Sequence, residues 1–298
     1  MQKIGTAEYL GTFEHGSELW HDARSEVIGS SDVAAILGLS TYKSAFTLWH
    51  EKAGLVQPVQ PDAKQRRKLA YGHHMEPFVA DLFLKEHPEL LVLTTGTWRH
   101  SERRWQGCNP DRLLTFAETP AENPQAHSVL ELKTFPSLSD WEDGPTPGYR
   151  AQLLWQLDTF GFKRGYIGGY ANLSGDYVEY VFDVDPFEAD AVRAKVLAFA
   201  ESITNGEPPE IDGSQGTYET LRKLNPSITP KTEAVIAAEI AERYIEARAA
   251  LKAADSDLNK WKGHLLAHMG TAQYALYDGN KIASRVAVRD GVPYLKEA

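Results

Sequence analysis

Two short segments hold the residue types that metal-assisted chemistry on a phosphate needs: Asn109-Pro110-Asp111 and, further along the chain, Glu131-Leu132-Lys133. Side chains at i and i+2 of a strand share a face, so Glu131 and Lys133 project together while Leu132 turns into the core. Their neighbours Val129, Leu130 and Phe135 are apolar, which marks a central strand. Charges facing inward from such a strand are costly unless they are paired or bound to metal. Asp111, at the end of a neighbouring strand, brings a second carboxylate. Two carboxylates and a backbone carbonyl make a hard-oxygen site suited to Mg²⁺ or Mn²⁺. Such an ion polarises a phosphoryl oxygen and lowers the pKa of a bound water. A lysine beside it orients that water and offsets charge in the transition state. Taken alone the pattern is short, and a surface ion pair is its commoner meaning.

Other residues extend it. Glu76, in Tyr71-Gly72-His73-His74-Met75-Glu76-Pro77, can present a third carboxylate from a helix; by itself it reads as an exposed glutamate. Gln152 and Gln156 lie one helical turn apart after the Glu131 strand, placed to meet a phosphate or an attacking water, or simply to give the helix a polar side.

The elements that must position these groups follow from apolar spacing. Residues 31–54 have helical spacing in two segments, with Ser31 or Asp32 as a cap and Gly38 and Gly54 as stops. Residues 68–86 read as a helix. Residues 90–97, 105–114 and 129–135 read as strands, with loops at 116–127 and 139–148. A helix over 149–160, a hairpin over 165–183 turning at Ser174-Gly175-Asp176, and a helix over 186–205 follow. Residues 206–230 are rich in Gly, Pro and Ser and read as a linker. Beyond it Ile240, Tyr244, Ala247, Leu251, Ala254, Leu258, Trp261 and Leu265 recur at alternating steps of 4 and 3. That is one long amphipathic helix with a heptad-like seam, expected to pack on the protein's own body. A hairpin over 272–288 closes the chain.

Composition excludes several classes. Formal net charge is -10, from 31 Lys+Arg against 41 Asp+Glu. A protein that coats nucleic acid is usually basic, so DNA would have to be held in a local channel. The basic run 64–68 and the cluster Arg99, His100, Arg103 and Arg104 read as solvated faces. One cysteine, Cys108, forms no internal disulfide, and the His73-His74 pair lacks partners at zinc spacing. With no apolar run of membrane length, no basic-then-apolar signal in residues 1–14 and no Gly-rich phosphate loop, the chain reads as a soluble, cytoplasmic protein without ATP use.

The stretch Arg24-Ser25-Glu26-Val27-Ile28-Gly29-Ser30-Ser31-Asp32-Val33-Ala34-Ala35-Ile36-Leu37-Gly38 resembles the opening of the YqaJ-type viral recombinase nucleases. These are similar to phage lambda exonuclease and belong to the PD-(D/E)XK superfamily. Tyr42, Leu48, Trp49, Lys52 and Gly54, then Gly72, Glu76-Pro77, Asn109-Pro110-Asp111, Glu131-Leu132-Lys133 and Tyr149-Arg150-Ala151-Gln152 continue it in order. The resemblance implies a restriction-endonuclease-like α/β core, a mixed central sheet flanked by helices, over residues 1–225. Residues 226–298 would add a long helix and a hairpin. It implies a Mg²⁺-dependent 5′→3′ exonuclease on double-stranded DNA ends, releasing 5′-mononucleotides and leaving a 3′ single strand for recombination by annealing. Two Mg²⁺ per site are implied, replaceable by Mn²⁺. Asp111, Glu131, the Leu132 carbonyl and Glu76 would be metal ligands. Lys133 would activate water, Gln152 would assist at the scissile phosphate, and Arg24 and Ser31 would grip a 5′-phosphate. A phage single-strand annealing protein is the implied partner, a ring trimer the implied oligomer, and a phage or prophage the implied source. Where many relatives carry a second glutamine, this chain has Leu154. The alternatives are an endonuclease or structure-specific nuclease on the same core, and a non-catalytic DNA-end-binding scaffold.

Overall fold

The computed structural model describes residues 2–14, 16–119, 125–289 and 291–297. The chain divides into two compact units, Met1–Ser227 and Ile228–Ala298. The first begins with β1 (Lys3–Ile4), β2 (Ala7–Gly11), α1 (Glu18–Ser25), α2 (Ser30–Ile36), α3 (Ala45–Lys52) and α4 (Ala63–Glu86). Strands β3 (Leu90–Thr94), β4 (Thr97–His100), β5 (Gly107–Cys108), β6 (Arg112–Phe116) and β7 (Ser128–Phe135) come next. A 3₁₀ turn at Leu138–Trp141 leads to α5 (Pro147–Phe160), β8 (Arg164–Ala171), β9 (Tyr177–Asp183), α6 (Pro186–Asn205) and α7 (Gln215–Leu224).

The central sheet has the order β3-β6-β7-β8-β9, antiparallel except for the parallel pair β7 and β8. A parallel pair needs a crossover, which α5 supplies. The period of two along β7 then sorts its residues. Leu130 and Leu132 meet Val79, Ala80 and Phe83 of α4, together with Leu90 and Leu114. Val129 and Phe135 lie with Leu153, Leu157 and Phe160 of α5 on the other face. Glu131 and Lys133, being odd-numbered, share that α5 face. Gly165 of β8 lets α5 come close: a Cβ there would lie 2.9 Å from both Leu153 and Leu157. The far side of α5 packs Ala151 and Trp155 against Ile28, Val33, Ile36, Leu48, Trp49 and Val196. This mixed sheet between helices is the restriction-endonuclease-like α/β core.

Several boundaries differ from expectation. The run 105–114 is two strands in two sheets, because Pro110 has no N–H to continue a ladder. β5 joins the second sheet, β1-β2-β4-β5, and β6 joins the central one. Residues 90–97 likewise split between β3 and β4. The cap of α2 is Gly29, with Asp32 Oδ2 accepting from the Gly29 N–H at 3.1 Å, rather than Ser31 or Asp32 itself. Arg99 and His100 are buried, not solvated. The linker contains α7, whose Thr217 and Thr220 hydroxyls bond to Ser44 at 2.8 Å and Thr47 at 2.9 Å of α3. Residues 120–124 of the expected 116–127 loop lie outside the described residues.

The second unit holds α8 (Ala238–Met269) and the antiparallel sheet β10 (Tyr274–Tyr277), β11 (Asn280–Val286) and β12 (Tyr294–Glu297). The hairpin turns at Asp278 and Gly279, both at positive φ (49° and 77°), as a tight two-residue turn requires. β12 had no counterpart in the expected hairpin. Taken by itself this unit buries no residue of α8, so the expected packing of its seam is not found there. Among the described residues no helix is long and apolar enough to cross a membrane.

His87 ends α4 and ties it to the sheet edge: its Nε2 lies 2.8 Å from Glu179 Oε1 on β9, and its Nδ1 3.2 Å from Glu89 Oε1. Burial works against the imidazolium, but the bonds and charges of Glu179 and Glu89 outweigh it and raise the pKa above 6.5. The clamp therefore contributes fully below pH 6.5 and fades as pH rises through the higher folded value. His87→Gln should lose about 1 kcal/mol near pH 6 and less near pH 9. Thermal unfolding of both proteins across that range checks this; a pH-independent gap would contradict it.

Candidate active site

Glu131 is 1% exposed, yet its carboxylate is fully engaged. Oε1 accepts from Lys133 Nζ at 2.5 Å and from Gln152 Nε2 at 2.6 Å, and Oε2 accepts from Gln156 Nε2 at 2.8 Å. The first donor shares the strand face, as the i, i+2 spacing requires. The two glutamines come from successive turns of α5, which the i, i+4 spacing stacks on one side. Thr146 caps α5 by accepting from the Tyr149 N–H, and Pro147 starts it. Gly161, at φ 73°, ends it. Gln156 also points its Nε2 at Ser30 Oγ, 3.4 Å away at the start of α2. Its Oε1 is buried without a hydrogen-bond partner. Reversing the amide would set that oxygen against the Glu131 carboxylate, so the orientation is fixed by charge.

Asp111 stands beside this group. Its Oδ2 accepts from the Leu132 N–H at 2.8 Å, which pins the Pro110 turn to β7. Burial first, then the charges of Glu131 and Glu76, push its pKa well above the ordinary carboxylate value, against the pull of Lys133 and the Leu132 N–H. Glu76 approaches from α4. Arg112 Nη1 lies 3.6 Å from its Oε2, and burial still raises its pKa despite His73 and Arg112. Lys133 lies 4.9 Å from the Tyr149 ring centre. Burial opposes its charge, but Glu131 and Asp111 outweigh this and hold the ammonium protonated far above neutrality.

Among the described residues no three His, Cys, Asp or Glu side chains are gathered as a metal cage. The pair Asp111 and Glu131, with Glu76 in electrostatic range, is nonetheless a hard-oxygen set whose mutual repulsion a divalent cation would relieve. The residues present fit such an ion.

Arg24 and Ser31 also meet: Arg24 Nη2 donates to Ser31 Oγ at 2.8 Å. Lys52, from α3, lies under them, 3.1 Å from Asp32 Oδ2 and bonded to the carbonyls of Arg24 (2.9 Å) and Val27 (2.7 Å). Burial raises the Asp32 pKa, but Lys52 and Arg24 outweigh it and hold Asp32 ionised. The sequence showed Gln156 one turn from Gln152, but not that it would bridge Ser30 and Glu131. Lys52 as the brace of this corner was not foreseen, and only its place in the family pattern pointed to it. Cys108 is buried, and burial pushes its thiol far up, as suits a core residue.

Comparison with known proteins places this geometry. Residues 19–163 match the model of the YqaJ-like viral recombinase domain, a span that holds Arg24, Ser31, Glu76, Asp111, Glu131, Lys133, Gln152 and Gln156. This stretch is thus similar to that viral recombinase domain. It is 28% identical over 219 residues to the uncharacterized protein YqaJ of Bacillus subtilis (strain 168), covering 70% of this chain. The match spans 64% of that relative, less than two thirds of its length. Among solved structures, the alkaline exonuclease LHK-Exo from Laribacter hongkongensis superposes with a TM-score of 0.50 at 19% identity. That match covers 70% of this chain and 99% of the other. LHK-Exo in complex with dAMP gives 0.51 at 18% identity, over 70% and 98%. At these identities the likeness is one of fold.

The raised pKa of Asp111 has a consequence for stability. Below the unfolded value of 3.8 both states are protonated and nothing is lost. As pH rises past it the unfolded chain releases its proton while the folded chain resists, so the native state loses stability. Asp111→Asn keeps an oxygen for the Leu132 N–H and removes the charge. Its metal-free Tm at pH 7.5 should rise by about 2–4 °C, and its gain on adding Mn²⁺ should shrink. Calorimetry in EDTA and in Mn²⁺ tests this; a lower metal-free Tm would overturn it.

Proposed function

We propose that this protein is a metal-dependent deoxyribonuclease that digests duplex DNA from its ends in the 5′→3′ direction, releasing 5′-mononucleotides. The observation that carries the reading is the convergence of half-buried Asp111 and Lys133 on buried Glu131, with Glu76 in range. Clustered carboxylates with a protonated lysine are of use to phosphodiester hydrolysis, and an end-binding scaffold has no need of them. The YqaJ-like domain and the exonuclease fold it shares with LHK-Exo support the same reading.

Asp111, Glu131, the Leu132 carbonyl and Glu76 would hold the metal, Mg²⁺ with Mn²⁺ as a substitute and two ions per site. Bound there, the cation would polarise the phosphate and acidify a water. Lys133 is held protonated, so it would not take a proton from that water. It would donate hydrogen bonds to the water and to the phosphate oxygen that gains charge. Gln152 and Gln156 would keep the Glu131 carboxylate in one rotamer, so that no reorganisation accompanies the reaction. Arg24, with the Ser31 hydroxyl, would grip the 5′-phosphate, a guanidinium being suited to bidentate contact with phosphate oxygens. Contacts confined to backbone and ends carry little sequence preference. The 3′ strand left behind would be handed to a single-strand annealing protein.

The test is Mg²⁺-dependent digestion of linear duplex DNA with a 5′-phosphate at one end, beside closed circles and the Lys133→Ala protein. Mononucleotides should come from the phosphorylated end of the linear DNA only. Loss of Lys133 should slow release by about 10²–10³-fold. Cutting of closed circles would instead make the protein an endonuclease. Tight DNA binding without hydrolysis in Mg²⁺ or Mn²⁺ would leave it a scaffold.

A further inference from the structure

The seam of α8 repeats every seven residues through Ile240, Tyr244, Ala247, Leu251, Ala254, Leu258 and Trp261. Within its own unit the seam is open: Ile240 is 65% exposed, Leu251 64% and Trp261 57%. We propose that α8 is a self-association surface that pairs antiparallel with α8 of a second copy of this chain.

Two independent features choose this occupant and this direction. The first is volume. Tyr244, Leu251, Leu258 and Leu265 fill one heptad position, while Ile240, Ala247, Ala254 and Trp261 fill the other. An antiparallel pair centred between Lys252 and Ala253 uses the full seam. It sets Leu251 against the partner's Ala254 and Leu258 against the partner's Ala247. Large residues then meet small ones in both central layers, which packs without voids. In a parallel pair leucine would face leucine and alanine would face alanine, crowding one layer and hollowing the next.

Charge at the flanks points the same way. Arg248 and Asp255 occupy the same edge of the seam, one heptad apart. In the antiparallel register Arg248 faces the partner's Asp255 and Asp255 faces the partner's Arg248, by symmetry. In a parallel pair Arg243 would instead face the partner's Arg248, two like charges on each side. An isologous contact of this kind closes on itself as a dimer.

Sedimentation velocity on the full chain is the first measurement, with far-UV circular dichroism to confirm helix content. The wild type should self-associate at micromolar concentration, alone or on top of any ring formed by its first unit, and Leu251→Asp should weaken that association by tenfold or more. Arg248→Asp should also weaken it, and Arg248→Asp with Asp255→Arg should restore it, a reversal that loss of folding would not give. Spin labels at Glu239→Cys should lie about 40 Å apart across the dimer, from the 1.5 Å rise per residue; the buried Cys108 stays unlabelled. A monomer, an oligomer indifferent to Leu251→Asp, a tighter association for Arg248→Asp, or a short label distance would each overturn the proposal. None of these readouts depends on DNA or metal, so the proposal stands or falls apart from the nuclease reading.

Discussion

A glutamate that is buried on the middle strand of a sheet must be satisfied or it unfolds the sheet. Removing a carboxylate from water costs several kcal/mol even after relaxation, and Glu131 recovers that through Lys133 and the amides of Gln152 and Gln156. Those donors come from two elements only, β7 and α5, so the two must be held face to face at close range. The parallel pairing of β7 with β8 places α5 there as a crossover. Gly165 removes the side chain that would hold it off. The apolar contacts of Trp155 with α2, α3 and α6 press from the other side. A helix buried nearly all round is the outcome, and two of its polar side chains, Gln152 and Gln156, are spent on one carboxylate.

Half-buried carboxylates in this fold take two opposite forms. Asp158 accepts from Arg193, Gln106 and Arg103; burial raises its pKa, but these donors outweigh it and hold it ionised. It is a finished brace between α5, α6 and the loop after β4. Asp111 accepts one backbone N–H, and burial with the charges of Glu131 and Glu76 outweighs the pull of Lys133, so it resists ionisation. On the nuclease reading, a group left in that condition would be relieved by a cation, whereas Asp158 needs none.

What the sequence made legible follows the same division. Strand parity put Glu131 and Lys133 on one face, and helical spacing found α4, α5, α6 and α8, because those signals are local and apolar. The sequence missed α7 because its contact with α3 is a ladder of threonine and serine hydroxyls, which leaves no apolar stripe. The strand expected over 105–114 divides because Pro110 breaks a run that looks continuous in hydrophobicity. Arg99 and His100 read as surface because a run of basic residues says nothing about which sheet will cover it. For the site itself, residue identity was legible and pairing was not. That Gln156, and no residue at Leu154, supplies the second amide depends on where α5 docks. Leu154 is buried on another side of the helix.

The chain's charge of -10 makes the cation central to the proposed reaction. DNA carries a phosphate about every 1.7 Å of duplex, and on the nuclease reading three carboxylates of this chain would stand where the scissile phosphate has to come. The protein offsets them only in part. Lys133 is committed to Glu131, Arg112 to Glu76, and Lys52 to Asp32. Arg24 and Ser31 lie at the other end of the Ser30–Gln156 bridge, at a distance from the carboxylates. On the nuclease reading, a phosphate cannot settle against Asp111, Glu131 and Glu76 until positive charge lies between them. Cation and substrate would therefore bind cooperatively, each lowering the repulsion the other meets. Such coupling would confine hydrolysis to places where both are present.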